Sequence, residues 1–155
     1  MPAESKTDVH AKIEQMLTEA RVILPGAQAL LGFQFVVTMN KTFSQLTAAD
    51  QHIHFAALFS VALSVLLLIT PAAVHRMTFD GLDVPRFHRI GSLIVTLALV
   101  PLALGLSGDF YLAAFRMIDS RTVAAAGAII VFAVMMGLWY AVPFALRRSR
   151  HRLTP

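Results

Sequence analysis

The chain contains no cysteine. Disulfides, iron–sulfur clusters, thiolate zinc sites and covalently attached haem are therefore excluded. Charge is also scarce, since Asp, Glu, Lys and Arg make up 14% of the 155 residues and hydrophobic residues make up 57%. A soluble domain of this size would leave much of that apolar surface in water, so the composition predicts a membrane protein.

Long stretches without any Asp, Glu, Lys or Arg indicate how the chain crosses the membrane. Each is long enough to span ~30 Å of hydrocarbon, which takes roughly 20 residues of helix. The four stretches are Val22–Asn40, Gln51–His75, Ile90–Gly108 and Thr122–Leu146. Short links between them predict an all-α fold, a four-helix transmembrane antiparallel bundle spanning residues 22–146.

The distribution of basic residues predicts the orientation of the bundle. Of the 13 Lys and Arg residues, only Lys41, Arg116 and Arg121 fall on one side, and the rest lie on the side of both termini. By the positive-inside rule, both termini are expected on the cytoplasmic side of the membrane. The basic tail, residues 147–155, is then a topology anchor that meets anionic lipid, and no nucleic-acid partner is expected.

The first 21 residues differ from the rest of the chain. They are polar, of mixed charge and without an apolar core, so no cleavable signal peptide is expected. Within them apolar residues recur at helical spacing, which predicts an amphipathic helix on the inner membrane surface. Because its acids nearly balance its bases, anionic lipid would hold it weakly, and docking on the bundle or on a partner is the alternative.

Two histidines are the first candidates for a site. His75 ends the second predicted helix and His88 begins the third, so an antiparallel pair would place both imidazoles at the same depth. Facing imidazoles bind haem b iron or form half of a transition-metal site. The competing interpretation is that histidine beside arginine simply favours the headgroup region. No dedicated metal site and no cofactor are expected, with haem b or a quinone as the alternative.

Polar residues at helical spacing on three helices predict a seam from the inner side to the middle of the membrane. It would be a path for an ion or solute, or a site for a quinone headgroup. The competing interpretation is that these groups make hydrogen bonds that fix helix register. The residues assigned to the path are Arg21, Gln28, Ser64, His75, His88, Ser92 and Asp109.

Asp109 is the only acid flanked on both sides by apolar helix. A charge inside a membrane is expensive and therefore suggests function. A structural role, such as pairing with Arg116, is at least as well supported. The outer histidines, His52 and His54, together with Asp109 could form a second site, and Gln34 marks a separate face of the first helix. No acid lies at mid-membrane, which argues against an antiporter acting alone.

A stripe of small residues, Ala133, Gly137 and Ala141, runs along the fourth helix. Such a stripe allows close contact between helices, either inside the bundle or in a dimer. Each span also contains one proline, and proline leaves a carbonyl of the preceding turn without its helical partner.

The segments KIEQMLTEARVILPGAQALLGFQFVVT, TPAAVHR, RFHR and PLALGLSGDFY resemble a family of small bacterial four-helix membrane proteins of unknown function. The resemblance covers roughly Lys12 to Phe115, and its most specific block is EARVILPGAQALLGFQ. Some members of that family are labelled sodium:proton antiporter, which implies transport, and the resemblance to bacterial proteins implies a bacterial inner membrane. The family offers no catalytic residue.

These features together predict a non-catalytic accessory or assembly subunit of a larger membrane complex, in contact with other membrane subunits or with copies of itself. A small oligomeric transporter is the alternative, and a haem- or quinone-binding electron carrier is a further one. No nucleotide loop, Ser-His-Asp arrangement or zinc-protease motif is present, so no hydrolase is predicted.

Overall fold

The computed structural model describes residues 6–41, 43–78 and 84–153. Long helices form almost all of this part of the chain, and four of them are long and apolar enough to cross a membrane. The predicted all-α four-helix bundle is therefore confirmed. The helices are α1 (Lys6–Met39), α2 (Ala48–Thr78), α3 (Pro85–Ile118), α4 (Arg121–Met136) and α5 (Val142–Leu153).

The helices alternate in direction. At one end, which we call the inner end, the first half of α1 packs on the end of α2 and the start of α3. At the opposite, outer end, the second half of α1 contacts the start of α2 and the last third of α3 through side-chain hydrogen bonds. Chain reversals therefore separate α1 from α2 and α2 from α3, as the short links predict.

α1 is one continuous helix, with no break at residue 21. Its first half turns an apolar face toward α2 and α3 and buries it there. That cluster comprises Val9, Ile13, Met16, Ala20, Leu68, Phe87, Val95 and Ala98. Residues 6–21 therefore dock on the bundle, which is the alternative to the separate surface helix predicted for residues 1–21. The apolar face is satisfied by protein contacts, so it does not require the membrane surface.

α2 and α3 pack more closely than any other pair of helices described, because small residues let their backbones approach. A methyl group added at Gly105 would clash with Val61 and would lie 3.0 Å from the Ala57 carbonyl oxygen. One added at Gly108 would lie 2.9 Å from Ala57 Cβ. Close packing of this kind is the main attraction between helices in lipid.

Local interactions define where the helices begin and end at the links between them. Thr47 caps α2, since the Asp50 amide donates to Thr47 Oγ1 at 3.3 Å. Pro85 occupies the first turn of α3 after Val84, as predicted. The role predicted for Asp83 as a helix cap falls outside the described residues. Asp119 takes a left-handed conformation with φ 55° and ends α3.

The fourth span is a single helical rod made of two α-helical parts. Between α4 and α5 lies a π-helical segment, Gly137–Ala141, in which the Val142 amide donates to the Gly137 carbonyl. Pro143 follows directly and has no amide hydrogen to donate, which explains why the regular pattern changes here. The predicted basic tail continues this rod, because α5 extends to Leu153.

α4 takes little part in the core. It packs mainly against α3, where Gly127 faces the Phe110 ring. Within Arg121–Ser149, Ala124 is the only buried residue. The core of the bundle is therefore formed by α1, α2 and α3, with α4 on its flank.

Candidate functional site

A largely buried polar cluster joins α1, α2 and α3 near the outer end. The Gln34 side-chain amide donates from Nε2 to Asp109 Oδ2 at 2.8 Å. His54 Nε2 lies 3.1 Å from the Gln34 backbone oxygen. Gln34 and His54 are each only 3% exposed. Three polar side chains from three helices therefore meet inside the membrane-spanning part of the bundle.

The hydrogen bonds of this cluster fix where its protons lie. A backbone carbonyl can only accept, so His54 Nε2 must carry the hydrogen that it shares with Gln34. Gln34 turns its amide nitrogen toward the Asp109 carboxylate and therefore directs Oε1 elsewhere. That oxygen is buried and has no hydrogen-bond partner. A buried acceptor without a donor is uncommon in folded proteins and calls for an explanation.

A cavity of about 500 Å³ adjoins the cluster. Its wall is mainly apolar and includes Leu30, Phe33 and Leu112, and Gln34 and Asp109 also line it. A concave, largely apolar space with a few converging polar groups is typical of small-molecule sites. We call this space the outer cavity.

The contacts of Asp109 differ from those expected from the sequence. The sequence places Asp109 on the predicted path or in a pair with Arg116, and in the structure its carboxylate accepts a hydrogen bond from Gln34. His54 joins the same cluster, as the second site predicted from the sequence requires, but His52 is exposed. Sequence reasoning did not connect Gln34 with Asp109. The available signal was that each is a polar residue within an apolar run.

At the inner end, Arg21 and His75 come together. Both line a cavity of about 440 Å³ between α1 and the end of α2. The His75 ring lies 4.7 Å, between centroids, from the ring of the fully buried Phe87. Arg21 itself is exposed, so this cavity lies at the rim of the bundle.

His88 lies in a different cavity, of about 340 Å³, on another face of α1. Its Nε2 is 3.3 Å from Ser92 Oγ, one turn along α3. The buried side chains of Ile13 and Met16 place α1 between the two histidines. The facing arrangement expected for His75 and His88 is therefore not observed, because α1 docks where a shared ligand would have to lie.

The remaining residues of the predicted seam do not form one line. Gln28 is exposed on the outside of α1. Ser64 is fully buried and donates to the Ala98 carbonyl at 2.8 Å, which is the register-fixing role considered as its alternative. The predicted continuous seam is therefore absent among the described residues. Between the inner and outer cavities lies an apolar cluster of Ala27, Val65 and Leu102.

The stripe on the fourth span faces away from the rest of the bundle. Ala133 and Ala141 are exposed, and a methyl group added at Gly137 would meet nothing within 4 Å. Trp139, on a neighbouring face, packs against the apolar cluster at the middle of the bundle. Of the two uses predicted for the stripe, packing inside this bundle is excluded by that geometry.

The comparisons with known proteins give one match. A family model described as a family of unknown function, DUF6328, matches residues 4–143. No curated protein and no solved structure matches the chain. The sodium:proton antiporter label carried by the sequence resemblance therefore receives no support from these comparisons.

Proposed function

The chain belongs to DUF6328, a family of unknown function, and we propose that it is a non-catalytic accessory or assembly subunit of a larger complex in the bacterial inner membrane. The observation that carries this proposal is the outward-facing stripe of Ala133, Gly137 and Ala141. The partner is a transmembrane helix of another protein subunit.

Helix association in lipid explains why this stripe supports a contact. Lipid tails are as apolar as leucine, so apolar exposure alone does not bring two helices together. Small residues do so because they let two backbones approach and gain close van der Waals contact. On this rod the stripe is open and Gly137 has free space above it, while the apolar face around Trp139 is already in contact with the bundle.

The basic end of the same rod supports attachment beside a membrane surface. Arg147 and Arg148 are exposed, and the Arg148 guanidinium lies 4.4 Å from the centre of the Phe144 ring. Basic residues directly after a span attract anionic lipid headgroups. Lipid contact at this end would hold the rod at a fixed depth, which keeps the stripe in register with a partner helix.

The geometry gives less support to the two alternatives. A transport path needs polar groups through the middle of the membrane, and the apolar cluster of Ala27, Val65 and Leu102 occupies that level. A haem held between His75 and His88 needs both rings at one cavity, and they line separate ones. The subunit role needs neither feature.

Photocrosslinking in native membranes tests the proposal. A benzophenone amino acid would be placed at Ala133, with a control at Val22, which is 75% exposed on α1 and lies outside the stripe. We expect a crosslink to a second protein from Ala133 only, and its loss on Gly137→Leu. The same products from both positions, or lipid adducts alone, would contradict the proposal. A crosslink only to a second copy of the chain would replace it with a homo-oligomer.

A further inference from the structure

The polar cluster beside the outer cavity contains two acceptor groups without a matching donor. Gln34 Oε1 is buried without a hydrogen-bond partner. The Asp109 carboxylate beside it receives one hydrogen bond, from Gln34 Nε2 at 2.8 Å. His54 Nε2 donates its hydrogen to the Gln34 backbone oxygen. The Gln34 side-chain oxygen and the Asp109 carboxylate are therefore two acceptors of one cluster to which the described residues supply no further donor.

The orientation of the Gln34 amide makes this arrangement selective. Turning the amide round would bring Oε1 against the Asp109 carboxylate, and two acceptors repel. The carboxylate therefore holds the amide so that its oxygen stays without a donor. A ligand that completes this site must donate hydrogen bonds, and a positive charge on it would also offset the carboxylate inside the membrane.

The rest of the outer cavity specifies the body of that ligand. Its volume of about 500 Å³ suits a small organic molecule, and Leu30, Phe33 and Leu112 offer apolar and aromatic surface. Aromatic faces also favour a nearby cation. Arg116 lines the same cavity, about 10 Å along α3 from Asp109 at 1.5 Å per residue. A second positive charge on the ligand would be repelled by that guanidinium, so the site favours a ligand with one positive charge.

We propose that the outer cavity is a binding site for a lipophilic monocation with a primary or secondary ammonium head. The ammonium donates to the Asp109 carboxylate, and its hydrocarbon body lies against the apolar wall. A neutral donor such as an alcohol or a hydroquinone brings no positive charge to the carboxylate. This inference is independent of the subunit role proposed for the fourth span.

Titration calorimetry on the full chain in nanodiscs tests the site. The probe is 4-phenylbutylammonium, and the matched ligands are 4-phenylbutan-1-ol and trimethyl(4-phenylbutyl)ammonium, which lack the charge and the N–H donors respectively. Empty nanodiscs give the partition background. We expect saturable binding of the primary ammonium, with each matched ligand at least about tenfold weaker, the effect of one good charged hydrogen bond.

Variants locate the binding within the protein. Asp109→Asn keeps the size and the acceptor for Gln34 Nε2 but removes the charge, so we expect at least about tenfold weaker binding. Gln28→Leu removes an exposed glutamine from the same helix and should leave the affinity unchanged. Leu112→Trp fills the cavity without changing charge and should abolish saturable binding.

The outcomes separate cleanly. Equal binding of ammonium and alcohol, or unchanged binding by Asp109→Asn, would overturn the cation specificity and with it the proposal. Saturable binding that survives Leu112→Trp would place the ligand elsewhere and would overturn it too. If Asp109→Asn fails to give a helical, monodisperse protein, the comparison of the three ligands on the unaltered chain and Leu112→Trp decide the question.

Discussion

Asp50 and Arg121, 71 residues apart, form a two-pronged ion pair that ties the start of α2 to the start of α4. Arg121 Nη1 donates to Asp50 Oδ1 at 3.2 Å, and Nη2 donates to Oδ2 at 3.1 Å. The Asp50 side chain is 1% exposed, whereas that of Arg121 is 50% exposed. Since α4 contributes little to the core, this pair is a principal attachment of its outer end.

Arg121→Met should therefore lower the midpoint of thermal unfolding, because it leaves a buried carboxylate without its cation. Arg121→Lys keeps the charge but cannot donate through two parallel N–H groups, so it should fall between Met and the unaltered chain. Circular dichroism melts in detergent give the order. Equal midpoints for the Lys variant and the unaltered chain would show that the two-pronged geometry contributes nothing, and an unchanged midpoint for the Met variant would contradict the pairing itself.

Gly105 should not tolerate a side chain, because its neighbours on α2 leave no room for one. Gly105→Ala places a methyl group against Val61 and the Ala57 backbone, and we expect it to cost about 1–3 kcal/mol of unfolding free energy. Gly32→Ala is the control, since nothing lies within 4 Å there, and should be neutral or stabilising by about 0.5–1 kcal/mol. Reversible unfolding in mixed micelles measures both, and similar values would contradict the packing.

The docking of the first half of α1 predicts that Ile13 contributes to stability. Ile13 is 1% exposed, so Ile13→Ala should cost about 2–5 kcal/mol through lost contacts and a residual cavity. Val22→Ala, on an exposed face of the same helix, should change the unfolding free energy little. An unchanged unfolding free energy for Ile13→Ala would instead indicate that this segment lies on the membrane surface.

The separation of His75 from His88 predicts that the two act independently. Because each lines its own cavity with α1 between them, the effects of His75→Ala and His88→Ala on unfolding should add within about 0.5 kcal/mol in the double variant. The purified protein should also show no Soret band. A large coupling energy, or a haem spectrum lost in either variant, would indicate a shared ligand.

Much of the fold could be predicted from local pattern. Long runs without charge cannot remain in water, and their backbone groups must bond within a helix, so four apolar spans predict four helices. The start of α3 at Pro85 could likewise be predicted from the neighbouring residues alone. The extent of α1 could not be predicted in this way, because an amphipathic face satisfied by lipid and one satisfied by protein have the same sequence pattern.

The candidate site was predicted only in part. Asp109 and His54 could be identified individually, since each is a titratable group within a span. Gln34 joins them only because α1 turns that face toward α3, whereas Gln28, six residues earlier, faces outward. Helical spacing groups residues on one helix, but it does not state how each helix is rotated about its own axis.

Composition and charge by themselves determined that this protein is a four-span membrane bundle, because the cost of exposing or burying each residue type depends little on its neighbours. Tertiary structure decided which polar groups meet. The rotation and register of α1, α2 and α3 are set by close packing, at Gly105 against Val61 and at Ile13 in the inner cluster. That packing brings Gln34 to Asp109 and keeps His75 from His88, which no spacing along the chain could specify.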